Sequence, residues 1–88
     1  MAYYFGKIEE YQGSLEFDTP VIFETEADPS DVMDDIARGW RTQEPFYDEY
    51  HEGYWHGEIL SMVGDYREIP KADFEVLAKY LGSHHYRA

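Results

Sequence analysis

The clearest strand pattern in the sequence is SLEFDTPVIFETE, residues 14–26. Successive side chains of a strand point to opposite faces, so the alternation of apolar and acidic residues here predicts a strand with one packed and one solvated face. Pro20 lacks an N–H and predicts either an edge position or a break at mid-strand. The packed face carries Leu15, Phe17, Thr19, Val21 and Phe23, and the solvated face carries Glu16, Asp18, Glu24 and Glu26.

The flanking residues predict a hairpin and a helix. Tyr3 to Tyr11 is rich in aromatic residues, as strands are, and Gln12-Gly13 supplies a turn. Asp28 suits the N-cap of a helix whose first position is Pro29. Apolar residues then repeat at helical spacing and predict a buried stripe. The stripe consists of Val32, Met33, Ile36, Ala37 and Trp40.

The second half of the chain is less regular. Thr42 to Gly57 is too long for a tight turn and predicts a functional loop or a poorly ordered insertion. Glu58 to Ile69 regains strand character, with Trp55 as a candidate extension of this strand. Gly64 within it indicates a bulge or a close backbone approach. Lys71 to Leu81 predicts a helix with Gly82 as its C-cap, and Ser83 to Ala88 a frayed tail.

The predicted order is β-β-α-β-α, which indicates an α+β fold class. The economical arrangement is a small antiparallel sheet with two helices packed on one face. A chain of 88 residues predicts a single domain, residues 1–88. The absence of Cys excludes disulfides, thiolate metal sites and thiol redox chemistry.

The charge balance limits the partners. With 19 acidic against 7 basic residues, the formal charge of −12 disfavours direct binding to nucleic acid or to an anionic membrane. The expected partner is a basic protein surface or a cation. No apolar run approaches the roughly 18–20 residues of a membrane span, and the first residues lack a signal-peptide layout. A cytoplasmic location is therefore expected.

The acidic residues concentrate between Ile8 and Ala37, a stretch with ten Asp and Glu residues and no Lys, Arg or His. Alternate residues of a strand lie about 6.6–6.8 Å apart, a spacing of the same order as phosphates along a nucleic-acid strand. Asp31, Asp34 and Asp35 on the following helix are expected to continue this surface. One interpretation is nucleic-acid mimicry, in which carboxylates meet the Lys and Arg of a nucleic-acid groove. The other is a solvated face that serves solubility.

In size, charge pattern and α+β layout the chain resembles small acidic proteins of phages and mobile elements that inhibit host nucleic-acid enzymes by mimicry. The resemblance lies in the acidic stretch from Glu9 to Asp35 and in the short α+β order. It implies targets such as restriction, CRISPR-type or DNA-repair machinery. Those proteins share no common motif, so the resemblance assigns no role to any single residue.

A second candidate surface is the loop from Phe46 to Trp55, where aromatic and acidic residues alternate. Exposed Tyr and Trp side chains are effective interface anchors, which favours a binding role. Alternatively, the loop folds back and its rings cover the sheet; the two interpretations are compatible. The aromatic residues are Phe46, Tyr47, Tyr50, Tyr54 and Trp55.

Metal binding and catalysis receive little support. His51 and His56 lie near Asp48, Glu52 and Glu58, but their spacing is not the i, i+4 pair of a helical HExxH site, so surface histidines are the preferred interpretation. No nucleophile elbow or phosphate-binding loop is present. The sequence therefore predicts no enzyme, no metal and no cofactor.

The leading hypothesis is a non-enzymatic inhibitor of the anti-CRISPR or anti-restriction type that occludes a basic, nucleic-acid-binding protein surface. The alternative is a small regulatory or structural interaction module, with homodimerisation possible, whose acids serve only solubility. The predicted contacts are Glu16, Asp18, Glu24, Glu26, Asp31, Asp34, Asp35, Tyr47, Tyr50 and Trp55.

Overall fold

The protein folds as one sheet with two helices packed against it. The computed structural model describes residues 1–81 and the backbone of residues 85–87. Within these residues the sheet has the order β3-β4-β5-β1-β2-β6. β6 is parallel to β2, and every other neighbouring pair is antiparallel. The elements are β1 (Ala2–Gln12), β2 (Leu15–Thr25), α1 (Pro29–Arg38), β3 (Phe46–Asp48), β4 (Gly53–His56), β5 (Ile59–Ile69), α2 (Lys71–Leu81) and β6 (His85–Arg87). The predicted α+β class is confirmed.

The β1–β2 hairpin forms as predicted. Gln12 pairs with Leu15, and Gly13 takes a φ of 61°, which suits the first position of a two-residue hairpin turn. β2 continues through Pro20 without a break. β6 pairs with Ile22–Glu24 alone, so Pro20 lies where no described residue flanks the outer edge of β2. The edge alternative for Pro20 is therefore correct.

The helices pack on opposite faces of the sheet, which corrects the expectation that both share one face. An ideal Cβ at Gly6 would lie 3.1 Å from Met33 Cε of α1, whereas the Tyr3 ring lies 4.9 Å from the Phe74 ring of α2. Since side chains alternate along a strand, Gly6 and Tyr3 of β1 face opposite ways. We call the even-numbered side of β1 the α1 face and the odd-numbered side the α2 face.

The main core lies on the α1 face. α1 begins as predicted, since the Asp28 carboxylate accepts a hydrogen bond from the Ser30 N–H at 2.9 Å and Pro29 occupies the first turn. The helix buries its apolar stripe against the centre of the sheet. The buried cluster contains Ile8, Val21, Phe23, Met33, Ile36 and Ala37. The outer end of the predicted strand face is not packed, because Leu15 and Phe17 are 55% and 45% exposed.

α2 covers one end of the other face. Phe74 is its buried residue, and Ile22 of β2 is fully buried although it lies in the row expected to be solvated. Along β1, the residues of this face beyond Phe5 are Lys7, Glu9 and Tyr11, which are half-buried. Within the described chain no helix lies over them, so this half of the face is open.

The irregular segment contains a hairpin, which corrects the prediction of a loop from Thr42 to Gly57. β3 and β4 pair with each other, and β4 pairs with β5. Trp55 therefore belongs to β4 and not to an extension of β5. The bulge predicted at Gly64 is confirmed, because the β1–β5 register shifts between Gly6 and Ile8.

The end of the chain is described in part. The tail prediction is corrected for residues 85–87, which form β6. The predictions for residues 82–84 and 88, including the Gly82 cap, lie outside the described residues. None of the described helices is long and apolar enough to span a bilayer.

Candidate protein-binding face

The structure divides the predicted acidic row of β2 into separate pieces. Glu16 and Asp18 lie together on the open half of the α2 face and are exposed. Pro20 and the buried Ile22 separate them from Glu24, which is half-buried. Glu26 is exposed but lies beyond the end of β2 at Thr25. The four carboxylates therefore do not form one continuous row.

The acids of α1 lie on the other side of the sheet. Asp31 is exposed in the first turn of the helix, where a negative charge is favourable. Asp34 accepts a hydrogen bond from Tyr54 Oη at 2.8 Å, and Asp35 pairs with Arg38 at 2.6 Å. These three residues therefore do not extend the acidic surface of β2, because the sheet separates the two sets.

Two carboxylates of the open half converge on one ammonium group. Glu9 and Asp18 are direct cross-strand partners. Lys7 Nζ lies 3.4 Å from Glu9 Oε2 and 3.6 Å from Asp18 Oδ2. The negative charges of Asp18, Glu9 and Asp65 raise the pKa of Lys7 above its ordinary value. Lys7 thus faces three carboxylates, and the exposed Arg67 lines the same hollow as Lys7, Asp18 and Asp65.

Tyr11 reports the electrostatic potential of the same region. Its hydroxyl donates to Glu9 Oε1 at 3.4 Å, and Glu16 is its direct partner across β1 and β2. The Glu9 charge, followed by burial and the Glu16 charge, raises the pKa of Tyr11. A tyrosinate is disfavoured here because the surroundings are already negative. We call Glu9, Glu16, Asp18 and Asp65 the acidic cluster.

Apolar surface borders the acidic cluster. A hollow of about 360 Å³ is lined by Tyr11, Gly13, His51, Trp55, Leu60 and Met62. The pairing of Tyr11 with Leu60, and of Trp55 with Leu60, places the three side chains on the α2 face. Aromatic and sulfur-containing walls beside carboxylates favour the binding of a long cationic side chain, whose stem is apolar and whose head is charged.

The aromatic residues of the β3–β4 hairpin divide between the two interpretations. Phe46 and Tyr50 are 71% and 89% exposed, as expected of free interface anchors. Tyr47 contacts Tyr54 on the α1 face, with ring centroids 5.1 Å apart, and is still partly exposed. Trp55 is half-buried on the opposite face. Tyr47 and Trp55 therefore cannot belong to one flat contact surface.

Asp48 holds the hairpin loop together. Its carboxylate accepts hydrogen bonds from the backbone N–H groups of Tyr50 and His51 at 2.9 and 3.2 Å and from Trp55 Nε1 at 2.9 Å. His51 Nδ1 lies 2.7 Å from the same carboxylate. The Trp55 indole, the His51 imidazole and the His51 backbone N–H lower the pKa of Asp48 far below its ordinary value. Asp48 is thus a structural residue that fixes the position of Trp55.

The two candidate metal ligands lie on opposite sides of the sheet. His51 contacts the Trp55 ring on the α2 face, with centroids 6.2 Å apart. His56 is buried on the α1 face, where Nε2 lies 3.1 Å from the Ala37 carbonyl oxygen. Among the described residues, no group of three or more His, Asp or Glu side chains is arranged to hold a metal ion.

Glu10 is a buried carboxylate with internal partners. It is 4% exposed and accepts hydrogen bonds from Trp40 Nε1 at 2.9 Å and Arg41 Nε at 2.8 Å. Ser61 Oγ lies 3.5 Å from it. This network fastens the segment after α1 to the sheet. Its position below the surface excludes Glu10 from direct contact with a partner.

Sequence reasoning missed Glu9, Tyr11 and Asp65 as members of the open half. A signal for Glu9 was present, because a two-residue turn at Gly13 fixes the register that places Glu9 opposite Asp18. The position of Asp65 depends on the bulge in β5, and the residue pattern does not fix which side chain a bulge redirects.

Comparison with protein-family models, with curated proteins and with solved structures found no match for this chain.

Proposed function

We propose that this protein is a non-enzymatic inhibitor that occupies the basic, nucleic-acid-binding surface of a partner protein. The observation that carries the proposal is the crowding of Glu9, Glu16 and Asp18 around Lys7 and Tyr11 on the open half of the α2 face. Carboxylates displayed from a folded sheet compete with phosphate for the same Lys and Arg side chains, and their backbone does not first have to be ordered.

The contact surface that we propose is smaller than the one predicted from sequence. It keeps Glu16, Asp18 and Trp55 and adds Glu9, Tyr11 and Asp65. The α1 acids lie behind the sheet and act at long range, by attracting a cationic partner during encounter. The inhibition is occlusion: nucleic acid and the acidic cluster cannot occupy the same groove. The proposal places the protein in the cytoplasm, or in the host cytoplasm if a phage encodes it.

The proposal is tested by capture followed by competition. The immobilised protein is incubated with lysate at low salt, and the retained proteins are eluted with short DNA or RNA duplexes and, separately, with high salt. We expect a nucleic-acid-binding protein to be retained and to be released by both eluents, because its sites are shared with phosphate. Failure to retain any nucleic-acid-binding protein at low salt overturns the proposal.

A second candidate function is self-association as a small interaction module. The observation that favours it is β3, an edge strand of the described sheet whose Phe46 and Tyr47 are 71% and 47% exposed. Sedimentation of the wild type and of Phe46→Asp distinguishes the two. A stable dimer that Phe46→Asp disrupts supports the interaction module. A monomer at all concentrations rules out the module and leaves the inhibitor as the remaining candidate.

A further inference from the structure

The outer edge of β2 is partly occupied and partly open. The chain's own strand β6 adds to this edge in parallel, in register with Ile22, Phe23 and Glu24. No described residue pairs with the outer edge from Leu15 to Val21. An unpaired edge offers N–H and C=O groups to an added strand, and at Ile22–Glu24 this edge already carries one.

The backbone groups that point outward are those of Glu16 and Asp18. In an antiparallel pair, every second residue turns its N–H and C=O away from the partner strand. Proline within a strand is tolerated where its missing N–H would face outward, and Pro20 shares its parity with Glu16 and Asp18. The side chains of these two acids lie on the open half of the α2 face, whereas Leu15 and Phe17 are exposed on the other face.

We propose that the partner binds by adding an extended segment to β2 between Leu15 and Val21, and that basic and apolar residues alternate in this segment. Its basic side chains lie beside Glu16 and Asp18, and its apolar side chains cover Leu15 and Phe17. This inference rests on the proposed function and specifies the form of the partner. The described residues give Glu16 no cationic partner of its own.

Charge disfavours a second copy of this chain as the occupant. Two β2 edges paired antiparallel around Phe17 would place Glu16 of one copy opposite Asp18 of the other. Like charges directly opposite one another on neighbouring strands are destabilising. A segment with Lys or Arg at those positions makes favourable cross-strand pairs instead, and Leu15 and Phe17 gain apolar neighbours.

The probe is a short synthetic peptide in which Lys and Val alternate, titrated into the full chain at low salt. The control peptide has the same composition, with its Lys and Val residues in separate blocks. We expect the alternating peptide to bind more tightly and to slow hydrogen exchange of the Glu16 and Asp18 amides, because both become hydrogen-bonded. The amides of the turn residues Gly13 and Ser14 serve as an internal reference.

Two substitutions at one position separate backbone pairing from charge. Asp18→Asn removes the charge and keeps the outward N–H, whereas Asp18→Pro removes both and leaves the pairing with β1 intact. We expect Asp18→Pro to weaken peptide binding about three- to tenfold more than Asp18→Asn, the worth of one ordinary hydrogen bond. Amide chemical shifts of β1 check that both variants keep the hairpin.

Two results overturn the edge inference. One is peptide binding that leaves the exchange of the Glu16 and Asp18 amides unchanged; the other is no preference for the alternating peptide. Neither result touches the capture experiment, which tests the proposed function separately. Conversely, protected amides combined with no captured nucleic-acid-binding protein would keep the edge site and discard the proposed target class.

Discussion

Glu9 and Glu10 are neighbours in the chain, but they lie on opposite faces of β1. Glu9 is beside Lys7 on the open half of the α2 face, and Glu10 is buried beneath Trp40 on the α1 face. The pair shows how the alternation of a strand assigns one acid to the surface and the other to the interior.

This difference predicts unequal effects of the same substitution. Glu10→Ala leaves the Trp40 indole and the Arg41 guanidinium without their acceptor. It should lower the free energy of unfolding by about 3 kcal/mol, the low end for breaking a buried ion pair, because Arg41 is itself partly solvated. Glu9→Ala should cost less than about 1 kcal/mol. Urea denaturation of both variants measures the difference, and equal losses would contradict the buried role of Glu10.

A second prediction concerns the packing of α1 on the sheet. Gly6→Ala places a Cβ 2.8 Å from Tyr66 Cβ and 3.1 Å from Met33 Cε. Relieving this overlap should cost about 1–3 kcal/mol of stability. Gly39→Ala is the control, because its Cβ would meet Asp35 O at an ordinary 3.5 Å. Thermal unfolding compares the two, and a neutral Gly6→Ala would argue against α1 lying over Gly6.

The pKa of Asp48 predicts an acid-dependent contribution to stability. The folded-state pKa is lowered from the ordinary 3.8 by the Trp55, His51 and backbone donors. As the pH falls, the Asp48 carboxylate therefore takes up a proton in the unfolded state before it does so in the folded state. Its contribution to the free energy of unfolding is complete above pH 3.8 and is lost as the pH falls below that value. The stability difference between wild type and Asp48→Ala should be large at neutral pH and should shrink below pH 3.8. A difference that is independent of pH would contradict the charged acceptor.

Tyr11 provides a direct measure of the acidic cluster. The Glu9 and Glu16 charges contribute to its raised pKa, so Glu9→Gln and Glu16→Gln should each lower the pKa of Tyr11. Tyr54, whose pKa is raised to about 12 by burial and by Asp34, should not respond. Titration of ¹³C-labelled tyrosine rings follows both residues. If neither substitution changes the pKa of Tyr11, then the Glu9 and Glu16 carboxylates do not lie close to its hydroxyl.

Local signals predicted the elements that local chemistry determines. The β1–β2 hairpin follows from the alternation and from Gly13, α1 follows from Asp28 and Pro29, and the bounds of α2 match its apolar spacing. The β3–β4 hairpin was missed because its loop lacks Gly and Pro turn signals. The Asp48 side chain closes that loop instead, and its partners are defined only once the two strands pair.

The distribution of the helices between the two faces could not be predicted for a different reason. At one end of β1, both faces carry aromatic residues, namely Tyr3, Tyr4 and Phe5. The sequence pattern there therefore does not show which face is exposed to solvent. Tertiary packing resolves this ambiguity, because α2 buries Ile22 and Tyr3 contacts Phe74. The same packing interrupts the acidic row of β2 and separates it from α1.

The most direct test of the proposed binding face compares two charge-matched double variants for binding to the captured partner. Glu16→Lys with Asp18→Lys reverses the exposed acids of β2, and Asp31→Lys with Asp35→Lys changes the formal charge equally on α1. We expect the β2 variant to lose affinity by roughly 100-fold or more, at about 1.4 kcal/mol for each factor of ten. The α1 variant should lose only a few-fold, through weaker long-range attraction. Equal losses, or a larger loss for the α1 variant, would contradict the assignment of the binding face to β2.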